Sequence, residues 1–95
     1  MKKSIDYLLR YVSMDTFNKI KDRNNEYTLG LLSDNYIDVN LNIKYLINYG
    51  VTNLDRVIPN IIDFLLLNNK EFEDKIEEYE KTLTKEEIIM LIENM

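Results

Sequence analysis

Histidine, cysteine and tryptophan are all absent from the 95-residue sequence, which also has only one proline and two glycines. Without cysteine or histidine there is no thiol nucleophile, no disulfide framework and no soft or imidazole ligand for an ordinary zinc or haem site. An enzyme made from this alphabet would have to work with carboxylates, lysines, tyrosines or hydroxyls. The scarcity of proline and glycine leaves nothing that resembles a linker. Long apolar runs are missing too: the densest, residues 61–67, is seven residues long with Asp63 inside it, far short of a membrane span. Met1, Lys2 and Lys3 resemble the opening of a signal peptide, but Asp6 and Arg10 interrupt the apolar stretch that should follow. A single domain over residues 1–95, cytoplasmic and free of the membrane, is the expectation.

What is present is apolar content of 45% and a charge of -5 that is unevenly spread. Residues 1–24 carry Lys2, Lys3, Arg10, Lys19, Lys21 and Arg23 against three aspartates, whereas residues 70–95 carry four lysines against nine acids. Ends of opposite sign can serve different partners; equally, such charges can line solvated helix faces.

Apolar residues recur mostly at spacings of three and four, which predicts an all-α fold of about six short helices. A first helix is expected over residues 4–12. Ser13 should cap a second carrying Phe17 and Ile20, and a third near residues 27–32 should be weakened by Gly30. A fourth begins near Asp38 and ends at Gly50, placed where a left-handed cap belongs. Thr52 with Asp55, and Thr84 with Glu87, read as capping boxes. They open a short helix to Ile58 and a last helix; between these lie an apolar helix after Pro59 and an acidic one over residues 70–82. Residues 36–45 also alternate apolar with polar as a strand would, but no second segment offers it a partner. Core positions are expected at Leu8, Leu46, Ile47, Ile58, Phe64 and Ile76.

The chain also matches itself. Setting residue 5 on residue 43 pairs Ile5 with Ile43, Tyr7 with Tyr45, Leu8 with Leu46, Tyr11 with Tyr49 and Ile20 with Ile58, and a fainter third copy follows. The implied period is about 33 to 38 residues, consistent with two to three degenerate helical repeats in a bundle or short solenoid. Residues 42–67 are the clearest unit. Leu46 and Gly50 close a helix, a second helix runs to Ile58, and Pro59 precedes the leucines at 65–67. This unit resembles the repeat of mitochondrial transcription termination factor-like (mTERF-like) proteins, and residues 72–94 look like the first two helices of another. The resemblance implies helical repeats and nucleic-acid binding. The missing glycines of the other copies and the acidic charge depart from that family.

Candidate functional residues follow from these patterns. Tyr7 and Tyr11, repeated as Tyr45 and Tyr49, form pairs one turn apart that suit stacking or anchoring of a partner. Glu71, Asp74, Glu77 and Glu78 offer an acidic face. The last helix, with Ile88, Ile89, Met90, Leu91, Ile92 and Met95, is apolar nearly all round. Ile89 and Ile92 are therefore candidate contacts for a partner or for a homodimer. Arg10, Lys19, Lys21 and Arg23 are the alternative, nucleic-acid-binding set, although Asp6, Asp15 and Asp22 lie among them. Asp38, Asn40 and Asn42 imitate the start of a calcium loop, but Ile43 and Tyr49 fill its glycine and glutamate positions. The expectation is a non-enzymatic helical module without catalytic residues, metal or cofactor. It would bind a protein, as an inhibitor, immunity or antitoxin-like factor does; the alternative is an mTERF-like nucleic-acid-binding module.

Overall fold

The computed structural model describes residues 4–95, so Met1, Lys2 and Lys3, with their part in a leader or basic cluster, lie outside the described residues. The described residues form seven α-helices and two 3-10 turns, with no strand among them. The fold is all-α. A 3-10 turn, Asp6–Arg10, leads to α1 (Met14–Arg23) and α2 (Glu26–Asp34). The long α3 (Tyr36–Tyr49) follows, then α4 (Leu54–Val57) running into the 3-10 turn Ile58–Asn60, and α5 (Ile62–Leu65). The chain ends in α6 (Asn69–Glu80) and α7 (Lys85–Glu93).

Caps decide where most helices start. Ser13 Oγ accepts from Thr16 N–H, Asn25 Oδ1 from Thr28 N–H and Asn68 Oδ1 from Glu71 N–H, each removing one of the orphan donors of a first turn. Thr84 and Glu87 form the reciprocal capping box that opens α7. Gly50 closes α3 at φ 116°, and its N–H reaches the carbonyls of Leu46 and Ile47. Asparagine also serves the opposite ends: the amides of Asn24, Asn35, Asn60 and Asn94 each donate to the carbonyl four residues back, at 2.7–3.0 Å.

The core is one contiguous cluster that includes Leu8, Ile20, Leu32, Val39, Ile43, Leu46, Ile58, Leu65, Phe72, Ile76, Ile88 and Ile92. α3 is its spine, packing against α2 on one side and α5 and α6 on another, while α7 closes over α4 and α6. The aligned pairs Leu8 and Leu46, and Ile20 and Ile58, are all fully buried. The strand-like alternation of residues 36–45 is overridden: all ten residues lie in α3, where Val39, Asn42, Ile43 and Leu46 recur at helical spacing and fill the buried face.

Five expectations need correction. The first element is a five-residue 3-10 turn, not a helix over residues 4–12, because Ser13 begins a new cap just after it. α2 runs for nine residues despite Gly30, since Asn25 caps it and Leu32 anchors it in the core. Ile47 is 42% exposed, because its neighbour Leu46 takes the buried position of the turn. Phe64 is only half-buried, at the core's edge against Phe72. Thr52 and Asp55 form no capping box: Asn53, in the left-handed region at φ 55°, starts α4, and both residues bond elsewhere.

Candidate functional site

The four repeated tyrosines come together with core elements and not with each other as one platform. Tyr7 lies half-buried and its hydroxyl donates to the carbonyl of Leu32 at 2.6 Å, so burial drives its pKa well above the usual phenol range. Tyr11 donates to Asn40 Oδ1 at 2.7 Å, and burial raises its pKa against the lowering influence of Arg10. These two bonds fasten the amino-terminal turn to α2 and α3. Tyr45 and Tyr49 stack at 5.9 Å, with Tyr45 also edge-on to Phe72 of α6. The Tyr49 hydroxyl donates to Glu80 Oε2 at 3.1 Å, while Lys85 Nζ lies 5.2 Å from the ring. Burial first, then the Glu80 bond and charge, push the Tyr49 hydroxyl up to about 12. The hydroxyls of Tyr7, Tyr11 and Tyr49 are each bonded back to the protein, and these repeated tyrosines are in the first place mortar.

Asn42 is the polar residue the sequence reading left without a role. It is fully buried on α3, and its amide donates to the carbonyls of Leu65 and Leu67, at 3.0 and 2.8 Å, where α5 ends. Its oxygen accepts from the Asn69 side chain, whose own backbone N–H donates to Asp38 Oδ1. The network fixes the α5–α6 junction against α3, which sets how α6 lies along it. Among the described residues, no buried side-chain nitrogen or oxygen is left unpartnered, and no cluster of carboxylates is arranged to hold a metal ion.

The acidic helix α6 buries Phe72 and Ile76 and presents carboxylates on two flanks. On the flank away from α3, Glu71, Asp74 and Glu78 line a shallow groove of about 270 Å³ together with Leu67 and Lys75. On the other flank stand Glu73, Glu77 and Glu80, close enough to Tyr45 to raise its pKa beyond the effect of burial. Glu77 thus belongs to a different flank from Glu71, Asp74 and Glu78. The exposed residues of α3 are Tyr36, Ile37, Leu41, Lys44, Ile47 and Asn48, so four of six are large and apolar; Ile37 and Leu41 are one turn apart, while the Tyr36 ring lies 6.3 Å from that of Tyr7.

At the carboxyl end, Ile92 is 1% exposed and packs in the core with Ile88, so it offers no contact surface. Ile89 is half-buried and lies against Gly50. The open side of α7 carries Met90, 62% exposed, and Leu91. α7 has too many apolar residues for their spacing alone to pick its buried face. Arg10, Lys19, Lys21 and Arg23 are exposed around the 3-10 turn and α1, with Asp15 and Asp22 exposed among them and Lys21 resting 5.4 Å over Phe17. A further groove of about 260 Å³ opens between Ile5, Lys21, Leu29 and Gly30. No helix among the described residues is long and apolar enough to cross a membrane.

No protein-family model, curated protein or solved structure matches this chain.

Proposed function

We propose that the chain is a small, non-enzymatic helical module that binds a protein partner. The observation that carries this reading is the outer face of α3, where the exposed positions are mostly Tyr, Ile and Leu although the helix has charged alternatives elsewhere in the chain. Surface helices of isolated domains turn polar residues outward, and contiguous apolar surface marks sites of association. The acidic α6 beside it favours a partner with basic character, as an inhibitor or antitoxin-like factor would require. Among the described residues the buried polar side chains are those of Thr16 and Asn42, so no carboxylate there is desolvated as acid–base catalysis would require.

The mTERF-like resemblance supports the other reading, nucleic-acid binding by the basic end. Interleaving of Asp15 and Asp22 with Lys19, Lys21 and Arg23 weakens that field, because acids between the cations reduce the number of phosphates that can be neutralised. Affinity capture from source cells with the intact chain and with a Leu41→Asp variant tests the proposal, alongside gel shifts with single- and double-stranded DNA and RNA. A protein retained by the wild type and lost with the variant is expected, without a gel shift. Micromolar nucleic-acid binding at physiological salt, lost on neutralising Lys19, Lys21 and Arg23, would replace this reading with the other.

A further inference from the structure

Where the second half of α3 lies against α6, one tyrosine has a cation on its ring and the next does not. Lys85 Nζ stands 5.2 Å from the centre of the Tyr49 ring, and the Tyr49 hydroxyl donates to Glu80 Oε2 at 3.1 Å. Ring, carboxylate and ammonium make a complete set, because the bond to Glu80 polarises the phenol whose face attracts the cation. Tyr45, one turn earlier, stacks on Tyr49 at 5.9 Å and meets Phe72 at 5.8 Å. Tyr45 thus lies at Phe72 and Tyr49 at Glu80, so Glu73 and Glu77, which fall between Phe72 and Glu80 on the same flank of α6, stand beside Tyr45. After burial, the charges of Glu80, Glu73 and Glu77 hold its hydroxyl above the ordinary 10.0. Among the described residues, Glu73 and Glu77 form no ion pair and the Tyr45 hydroxyl forms no hydrogen bond. The lysines of α6 do not supply the cation: Lys70 pairs with Asp74 at 3.7 Å, and Lys75 lines the groove on the other flank. Lys81, at the end of α6, and Lys44, next to Tyr45 on α3, make no ion pair among the described residues.

Resting on the proposed protein-binding role, we infer that Tyr45, Glu73 and Glu77 receive an arginine side chain of the partner, its guanidinium on the tyrosine and between the two carboxylates. Charge and shape decide the occupant. Glu73 and Glu77 repel each other one turn apart on α6, and a cation between them removes that repulsion. An acidic side chain would meet the carboxylate row, and a second copy of this edge would bring a like row against it. A guanidinium is flat and carries its N–H donors in a fixed fork, so it can bond carboxylates and a phenol oxygen while resting on an aromatic ring. An ammonium has no such plane. Lys85 on Tyr49 is the same arrangement completed from within the chain, and the arginine would complete it at Tyr45 from outside.

The test uses the full chain and a capped peptide of alternating arginine and glycine, with lysine and glutamate counterparts of equal length as controls. Titration of the arginine peptide should move the chemical shifts of Tyr45, Glu73 and Glu77 saturably, and less at high salt. The pair Glu73→Gln and Glu77→Gln should weaken binding roughly fivefold, as loss of exposed charge pairs does, while the pair Glu71→Gln and Glu78→Gln, the same charge change on the other flank, should leave it within about twofold. Tyr45→Leu should also weaken it, with helicity checked by circular dichroism; the glutamine pairs keep every packing contact and decide the matter if that variant unfolds. Absence of a saturable shift, shifts centred on Glu71 and Glu78, equal binding of the lysine peptide, or equal loss with the two glutamine pairs would overturn the inference. Should the peptide fail while Leu41→Asp still releases a captured cellular protein, the wider protein-binding role stands and the arginine site falls. Should the peptide bind as expected while no protein is captured, the site stands and the wider role falls.

Discussion

The two glycines make opposite demands on an alanine. Gly50 has φ 116°, a conformation closed to side chains, and a Cβ there would sit 3.1 Å from Ile89 Cδ1. Gly50→Ala should therefore cost at least about 1–2 kcal/mol in urea unfolding. Gly30 lies inside α2 with nothing within 4 Å of the Cβ it lacks. Gly30→Ala should accordingly raise stability by about 0.5–1 kcal/mol, and a loss would mean that the helix is distorted there. Asn42 is the third telling position: Asn42→Ala strands two carbonyls and the Asn69 amide, and should cost about 1–3 kcal/mol. Gly50 was legible in the sequence because a cap is a local event. Asn42 was not, because the groups that satisfy it are the carbonyls of residues 65 and 67, outside any window in which periodicity is read. Ile47 shows a different limit, since in the pair Leu46 and Ile47 only tertiary packing selects which one turns inward.

Among the elements, helix starts were read well and helix lengths less so. Ser13 and Thr84 cap α1 and α7 as their sequences suggest, yet the same logic misplaced Thr52 and Asp55. Asp55 instead accepts the backbone N–H of Ser13 at 2.7 Å, closing the start of α1 from 42 residues away. That bond, followed by Thr16, holds the Asp55 carboxyl below its ordinary 3.8, and the Thr84 N–H holds Glu87 below its ordinary 4.5. A carboxyl depressed by folding contributes stability that is complete above the unfolded value and is lost as pH falls through the folded one. Urea midpoints should show no such loss between pH 7 and 5 and should decline as pH falls below 4.5 for Glu87 and below 3.8 for Asp55. In Asp55→Asn the decline should be shallower than in the wild type; an unchanged acid profile would mean that the Ser13 bond carries no charge-dependent stability. α2 exceeded its expected length because two caps and one buried leucine outweigh a single glycine, and the first helix fell short because its own continuation was preempted by the cap at Ser13.

At the scale of the molecule, the all-α architecture and a core running through Leu8, Leu46, Ile58 and Ile76 were legible from spacing alone. The candidate surface was legible only in its charge: the acidic helix was evident, but its division into two flanks and the open apolar side of α3 depend on which neighbours cover what. α7 offers the sharpest test of that division. Ile92→Glu should unfold the chain, because the residue is enclosed in the core, whereas Met90→Glu should leave circular dichroism and thermal midpoint close to wild type. Light scattering on Met90→Glu then asks whether the outer side of α7 supports self-association, with a mass that drops relative to wild type as the positive result. Among the ties that join distant parts of the chain are Ser13 to Asp55, Asp38 to Asn69, and Thr52, through both its N–H and its hydroxyl, to Glu93. In each, the later residue comes 31 to 42 positions after the earlier one. During synthesis the start of α1 must therefore wait for α4, and the turn after α3 must wait for the final turn of α7. A growing chain can wind its helices as they emerge, but the ties at the start of α1 and after α3 close only once α4 and the end of α7 have left the ribosome.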